Sequence, residues 1–312
     1  LLALWLGAAG CREMNKHALS ASLLHFLMVC SVMPTCVATL DLLSFPIVDG
    51  HVHLMDPAQG FKYSWAPESG GGNTCKQDCA VCTGNSTNCN VYRHWTVQDY
   101  LMAQVNNATK LVFMEVATMN EGVEEAQWVQ HLADTTQPLI RGIVARCPLE
   151  MGSAVEPCLQ AIADIPLVRG VRCNFGTDSN GTSLNASFVE GVQLLAKYNL
   201  TFDCVVQTAT LPLVGALATA APNVTLIIDH LGEPKIDATG SELSEWSARL
   251  HAVATHANVF LKLSGGPQQY GNADWTVEAV RPFIQEALSA FGPDRCFYAG
   301  NWFWVNNYSN LG

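Results

Sequence analysis

Eight short apolar segments are spaced through residues 47–300, and stretches of helical periodicity separate them. The segments fall at 45–50, 111–116, 140–145, 168–173, 201–206, 224–228, 259–263 and 295–299. They are nearly continuous runs, not alternations of apolar and polar residues, which is the pattern of strands covered on both faces. The stretches between them predict helices at 97–105, 123–133, 154–162, 187–198, 211–220, 241–256 and 277–290. Thr96 is placed to cap the first helix, and Glu242 and Glu245 favour the start of the sixth. Glu124, Glu125 and Gln127 fall on the wet face of the second. Strand, crossover and strand repeated at this length predict an α/β chain folded as a (β/α)8 TIM barrel. A doubly wound open sheet is the rival. It would bring a glycine-rich phosphate loop after the first strand, and His51-Val52-His53 stands there instead.

The barrel domain is expected at 45–312, with an insertion at 57–93 in the loop after the first strand. That loop is rich in Gly, Asn, Thr and Cys and far longer than an ordinary connection. The chain reaches Gly312 just after the eighth strand, so the final helix is expected to be truncated. Residues 1–40 read as an extension. Within it Met14-Asn15-Lys16-His17 has the form of a short positive leader region, 23–37 is mostly apolar, and Cys36-Val37-Ala38 is an acceptable cleavage site. A signal peptide from Met14 is therefore expected, residues 1–13 read as upstream translated sequence or an artefact, and the apolar run is too broken for a stable membrane span.

Composition changes this picture in two ways. A hydrophobic fraction of 49% against 14% charged residues fits a large buried core, and a net charge of −11 with no basic run excludes a nucleic-acid partner. Twelve cysteines are many for a cytosolic enzyme. Cys75, Cys79, Cys82 and Cys89 have a spacing that suits zinc. Seven N-x-S/T acceptors, at Asn85, Asn107, Asn180, Asn185, Asn199, Asn223 and Asn307, turn the reading toward a secreted or lumenal glycoprotein with disulfides in that cluster. Three pairings of those four cysteines stay open.

Chemically capable residues collect at the ends of the predicted strands, where a barrel builds its active site. His51 and His53 are two apart on a strand and so share a face. Asp49 has the same parity and is placed to orient a histidine. Glu115 interrupts an apolar run, which is costly unless it is paired; a pocket role and a structural ion pair both fit. Arg146 and Arg172 each suit a clamp for a substrate carboxylate, or a rim ion pair. His230 supplies a third imidazole, while Asp229 beside it points the other way if the strand persists. Lys262 reads as packed or paired, not as a base, and Ser264 follows it. Asn301 closes the eighth strand; it can donate and accept hydrogen bonds but is no general base near neutral pH. Cys173 and Cys204 read as packed or paired thiols.

Six motifs in order, at 45–56 (FPIVDGHVHLMD), 138–143 (PLIRGI), 167–172 (LVRGVR), 228–232 (IDHLG), 262–265 (KLSG) and 291–302 (FGPDRCFYAGNW), make residues 45–305 resemble the amidohydrolase-related family. Within it the resemblance is to the branch holding sugar-acid lactonases and 2-pyrone-4,6-dicarboxylate lactonase. The resemblance implies hydrolysis of a lactone, or of a related carbonyl bond, in a small acidic substrate. It implies catalytic roles for His51, His53, His230, Asn301 and Arg172, and substrate binding by Arg146, Glu115 and Trp302. His51, His53 and His230 would hold one divalent metal, Zn²⁺ or Mn²⁺, although members of this branch also work without metal. Asn301 stands where many members place an aspartate, and Cys173 where several have a histidine. Two alternatives stay open: a non-oxidative aromatic-acid decarboxylase, as in a related branch, which Asn301 disfavours, or a catalytically inactive secreted homologue, which the loss of the aspartate favours. The sequence sets no oligomeric state.

Overall fold

The computed structural model describes residues 46–65, 93–103, 107–236, 241–266 and 275–307. The chain divides into two compact units, 1–46 and 47–312. Of the first, only Pro46 is described. The leader, most of the 57–93 insertion and its four cysteines lie outside the described residues, as does anything after Asn307.

The second unit is an eight-stranded parallel sheet in the order β1 to β8. The strands are β1 (Ile47–Val52), β2 (Ala108–Met114), β3 (Ile140–Ala145), β4 (Val168–Cys173), β5 (Thr201–Cys204), β6 (Leu226–Ile228), β7 (Val259–Leu263) and β8 (Cys296–Tyr298). The helices between them are α1 (Val97–Ala103), α2 (Gly122–Thr135), α3 (Glu156–Ala163), α4 (Ala186–Leu194), α5 (Leu211–Ala220), α6 (Ser241–Ala254) and α7 (Val277–Phe291). A parallel bridge between Val52 and Trp302 brings the two ends of the sheet together. The His53 amide donates to the Trp302 carbonyl at 2.7 Å, and the Asn301 amide to the His51 carbonyl at 2.9 Å. The architecture is thus the expected (β/α)8 barrel.

Apolar strands covered by helices bury nearly all their side chains: Leu111, Phe113, Ile143, Val171, Phe202, Leu226, Ile228, Val259 and Leu261 are all in the core. Thr96 caps α1 reciprocally with Asp99: the Asp99 amide donates to the Thr96 hydroxyl at 3.2 Å, and the Thr96 amide to the Asp99 carboxylate at 2.8 Å. Trp246 on α6 is fully buried, and its indole N–H donates to the Leu231 carbonyl at 2.7 Å. That bond ties the turn after β6 to the helix behind it.

Four departures from expectation bear on function. β1 runs two residues further than predicted, so His51 lies within it. β2 starts three residues earlier, because Ala108 and Lys110 pair with Ile47 and Val48 of β1. Glu125 is not on the wet face of α2; Gly122, Glu125, Ala126 and Val129 form the buried stripe facing the barrel. The segment after β3 is not one helix from 154. A 3-10 stretch, Leu149–Val155, comes first, with Gly152 at φ 61°, and a disulfide joins Cys147 to Cys158 across it. Among the described residues Cys173, Cys204 and Cys296 are free and buried. Cys173 and Cys204 face each other across β4 and β5. Burial pushes the Cys173 thiol up to about 12 and Cys204 well above its ordinary value, which suits packing, not reactivity.

Candidate active site

Asp49, on β1, is fully buried. It does not touch an imidazole; it accepts from the His51 amide at 3.1 Å, the Gly300 amide at 2.7 Å and the Tyr100 hydroxyl at 2.9 Å. It therefore locks the seam between β1 and the end of β8. Two residues on, His51 is wholly buried beneath the barrel mouth. His53 lies just beyond the strand, with its Nδ1 3.0 Å from the Met114 carbonyl. A carbonyl only accepts, so Nδ1 carries the proton and the His53 Nε2 lone pair is directed elsewhere. It meets His51 Nε2 at 3.0 Å.

A charged layer surrounds these rings. Lys262, buried on β7, donates to Asp203 on β5, and lies 2.8 Å from Asp229 and 3.3 Å from His51 Nδ1. Its ammonium stays charged: burial alone would lower it, but Asp203 and Asp229 hold it above the ordinary lysine value. Burial pushes the Asp203 carboxyl up to about 6 against the pull of Lys262. Asp229 goes the other way, because Lys262 and His51 overcome its burial. Asp203 is a member of this layer that the sequence reading missed. Its signal was a carboxylate within the run Thr-Phe-Asp-Cys, the same signal that marked Glu115.

Arg172 projects from β4 toward the same rings. Its Nε donates to Glu115 at 2.9 Å, and its NH1 donates to His51 Nε2 at 3.1 Å and to Asp229 at 3.5 Å. Each two-nitrogen edge of the guanidinium thus has one nitrogen already committed. A bidentate clamp on a substrate carboxylate needs a free edge, so Arg172 does not offer the clamp expected of it. Arg146 is 3.7 Å from Glu115 and does not reach the cavity. Glu115 is buried and accepts from Arg172 and from the Ala117 amide at 2.6 Å; it orients Arg172 and does not line the cavity.

His230 and Asp229 reach the site together, contrary to the parity expected of a longer strand. β6 ends at Ile228, and His230 takes a left-handed backbone, φ 51°. The His230 Nδ1 is 2.8 Å from the Ser264 hydroxyl, and its ring centroid is 4.7 Å from that of His51. Burial lowers all three imidazoles, His230 to about 4, so each is neutral near pH 7.

These side chains open on a cavity of about 250 Å³ at the C-terminal ends of the strands. His53, Arg172, His230 and Asn301 line it, with Trp65, Trp304 and Glu233 from the surrounding turns. Trp302 does not. Asn301 has φ 53°, and the turn sends Trp302 into the core, 5.2 Å from Trp95 and 5.6 Å from Tyr100. Trp65, Trp304 and Glu233 had no signal in the sequence, because loop paths alone bring them here.

The donor set fits a divalent cation. Donor atoms of His51, Asp229 and His230 lie within 4.8 Å of one another. Two imidazole nitrogens bound to one ion at about 2.0–2.1 Å stand roughly 3 Å apart, which is the separation of the His51 and His53 Nε2 atoms. Neutral imidazoles are the form that binds metal. An ion would share Asp229 with Lys262 and Arg172.

Comparison with known proteins agrees with this geometry. The amidohydrolase family model matches residues 48–310. An uncharacterized protein of Sinorhizobium fredii, y4mH, is 28% identical over 269 residues, 82% of this chain and 84% of that protein. The L-fucono-1,5-lactonase of Burkholderia multivorans is 30% identical over 128 residues, 38% of this chain and 42% of the enzyme. A zinc-bound amidohydrolase structure from Burkholderia multivorans superposes with a TM-score of 0.66 at 19% identity, covering 86% of this chain and 88% of that one. The family match runs from the first strand of the barrel past the last, and on that extent this chain belongs to the amidohydrolase family and is an enzyme.

Proposed function

We propose that the enzyme opens a lactone by water attack on its ring carbonyl, releasing a hydroxy acid. The observation that carries this reading is the convergence of neutral His53 and His230, Arg172 and Asn301 on one cavity at the strand ends. A space of about 250 Å³ suits a single small ring. The likeness to a sugar lactonase supports the same class.

His230 is placed to take the proton from the attacking water and return it to the ring oxygen as the C–O bond breaks. Ser264 fixes its ring through Nδ1, which leaves Nε2 for that transfer. Held near 4, His230 is deprotonated across the neutral range but is a weak base. Polarisation of the carbonyl must therefore supply much of the rate. Arg172 is the cation on the cavity wall for the developing oxyanion. Asn301 donates and accepts hydrogen bonds, and orients the water or the carbonyl. A divalent ion held by His51, His53 and Asp229, which leaves His230 Nε2 for the proton, would lower the pKa of bound water and polarise the carbonyl.

The test is acid release from a panel of five- and six-membered lactones, followed at constant pH. The expected result is one acid per lactone consumed, with His230→Asn slowing kcat by about 100-fold or more. A well-folded sample that opens no lactone would overturn the reading. Release of CO₂ from aromatic acids would then put decarboxylation in its place, and no turnover at all would favour an inactive homologue.

We propose further that the chain enters the secretory route. Asn107, Asn180, Asn185, Asn199 and Asn223, the acceptor asparagines whose burial is described, are all exposed. Protein secreted from a eukaryotic host should lose mass on enzymatic removal of N-linked glycans. An unchanged mass would count against it.

A further inference from the structure

The turn after β6 does more than place His230. His230, Leu231, Gly232 and Glu233 have φ of 51°, 60°, 71° and 46°, four left-handed residues in succession. Three of them carry a Cβ, and for such residues this region is unfavourable. The turn is held by the bond from Trp246 to the Leu231 carbonyl, and by Gly232 and Glu233 amides that donate to Asp229 and His230 carbonyls at 2.8 and 2.9 Å. Its outcome is that Glu233, half-buried, lines the cavity beside His230 and Arg172. The Gln207 amide donates to its carboxyl. Strain of this kind, over-determined by its surroundings, is a mark of a functional position.

Glu233 sets the polarity of the cavity wall. Arg172 is the one lysine or arginine on that wall among the described residues, and its edges are committed to Glu115, His51 and Asp229. A substrate carboxylate entering here meets a carboxylate on the turn and no free guanidinium edge. A hydroxyl meets an acceptor. The two indoles add apolar faces: Trp65 and Trp304 stand 5.1 Å apart at 70°, and Trp65 is fixed by a 2.8 Å bond from its N–H to the Val116 carbonyl. Fixed aromatic faces for C–H groups beside a carboxyl acceptor for hydroxyls suit a polyol ring.

We propose that Glu233 is a specificity-determining residue, which selects an uncharged polyhydroxylated lactone by accepting hydrogen bonds from its hydroxyls and turns away lactones that carry a carboxylate. This rests on the lactone-opening reading, and names the substrate class of that site.

The experiment compares full-length enzyme with Glu233→Gln, which keeps size and one acceptor oxygen but removes the charge. Burial, and then Asp229, hold the Glu233 carboxyl above its ordinary range, so assays run at about pH 8, where a carboxyl is ionised unless strongly perturbed. The expected wild-type preference is roughly 100-fold or more in kcat/KM for a neutral aldono-1,5-lactone over a carboxylated lactone of the same ring size. Glu233→Gln should narrow that ratio by about 10-fold, the loss on the neutral substrate falling on KM and not on kcat. An equal ratio in the two proteins, or a wild type that prefers the carboxylated ring, overturns the proposal. The same two rings made as non-hydrolysable lactams are titrated by tryptophan fluorescence. If no lactone is opened yet the neutral lactam binds better and Glu233→Gln abolishes the difference, the hydrolytic reading fails and this one stands. Lactams bound equally by both proteins, or by neither, sink it. Melting curves confirm that the variant is folded.

Discussion

Lys262 holds its ammonium against two buried carboxylates and one imidazole, with almost no exposure. A pair of this kind adds little net stability, but removing one partner leaves charge stranded in the core. Lys262→Met is therefore expected to cost about 3–5 kcal/mol, read from denaturant unfolding, with part of the loss restored by adding Asp203→Asn. A loss under about 1 kcal/mol, the scale of an exposed pair, would show that the layer is not sealed from water. Arg172 bears on metal affinity with a definite sign. It stands 3.1 Å from His51 Nε2 and 3.5 Å from Asp229, two of the groups a cation would use. Arg172→Gln removes a competing positive charge and should tighten zinc binding by about 10-fold or more, measured by competition with a chromogenic chelator. Unchanged or weaker zinc binding would place the ion elsewhere. The three histidines were legible in the sequence because each closes an apolar run. Asp229 was visible but misdirected, and Glu233 passed unnoticed, because a left-handed backbone at His230 breaks strand parity.

At the scale of elements, the approach of α4 to the 3-10 stretch after β3 is set by one small residue. A Cβ added at Gly191 would lie 2.1 Å from the Leu149 carbonyl oxygen. Backbone cannot yield as a side-chain tip can, so Gly191→Ala should destabilise by about 1–3 kcal/mol despite its better helix propensity. A melting temperature at or above wild type would contradict that approach. The same region shows where reading by period ran out. Residues 154–162 carry helical spacing, yet 154 and 155 still belong to the 3-10 stretch Leu149–Val155, and α3 begins only at Glu156. On α2, spacing alone put Glu125 outside. The stripe shared with Gly122, Ala126 and Val129 puts it inside, where burial and then Glu115 raise its carboxyl well above the ordinary range.

For the molecule as a whole, closure of the barrel depends on Asp49, which accepts hydrogen bonds from amides on both sides of the seam between β1 and the end of β8. Burial pushes its carboxyl up from 3.8 to about 6, against the three hydrogen bonds it accepts. Between those values the folded chain keeps a proton that the unfolded chain has lost. The contribution to stability is thus greatest at the acid end and is lost as pH rises through about 6, by about 3 kcal/mol for a shift of this size. Asn cannot titrate. The stability of wild type minus that of Asp49→Asn should therefore fall by about 2.5 kcal/mol from about pH 4 to about pH 7. Taking the difference cancels the opposite slope of the buried histidines, and a flat difference would refute the assignment.

The sequence by itself determined the order of strands and helices, the parallel barrel and the three histidines. All of these follow from apolar runs, helical spacing and the position of a residue at a strand end, which are local properties. Only the tertiary structure decided which groups meet. Asp203, Lys262 and Asp229 come from β5, β7 and the turn after β6, and become one charged layer only when the sheet curves round. Trp302 turns into the core and Trp304 lines the cavity, because of a backbone angle at Asn301. Whether Arg172 clamps a substrate or is itself held depends on Glu115 and Asp229, each 57 residues away along the chain. Periodicity carries no information about contacts at that separation, and it is those contacts that set the charge of the cavity.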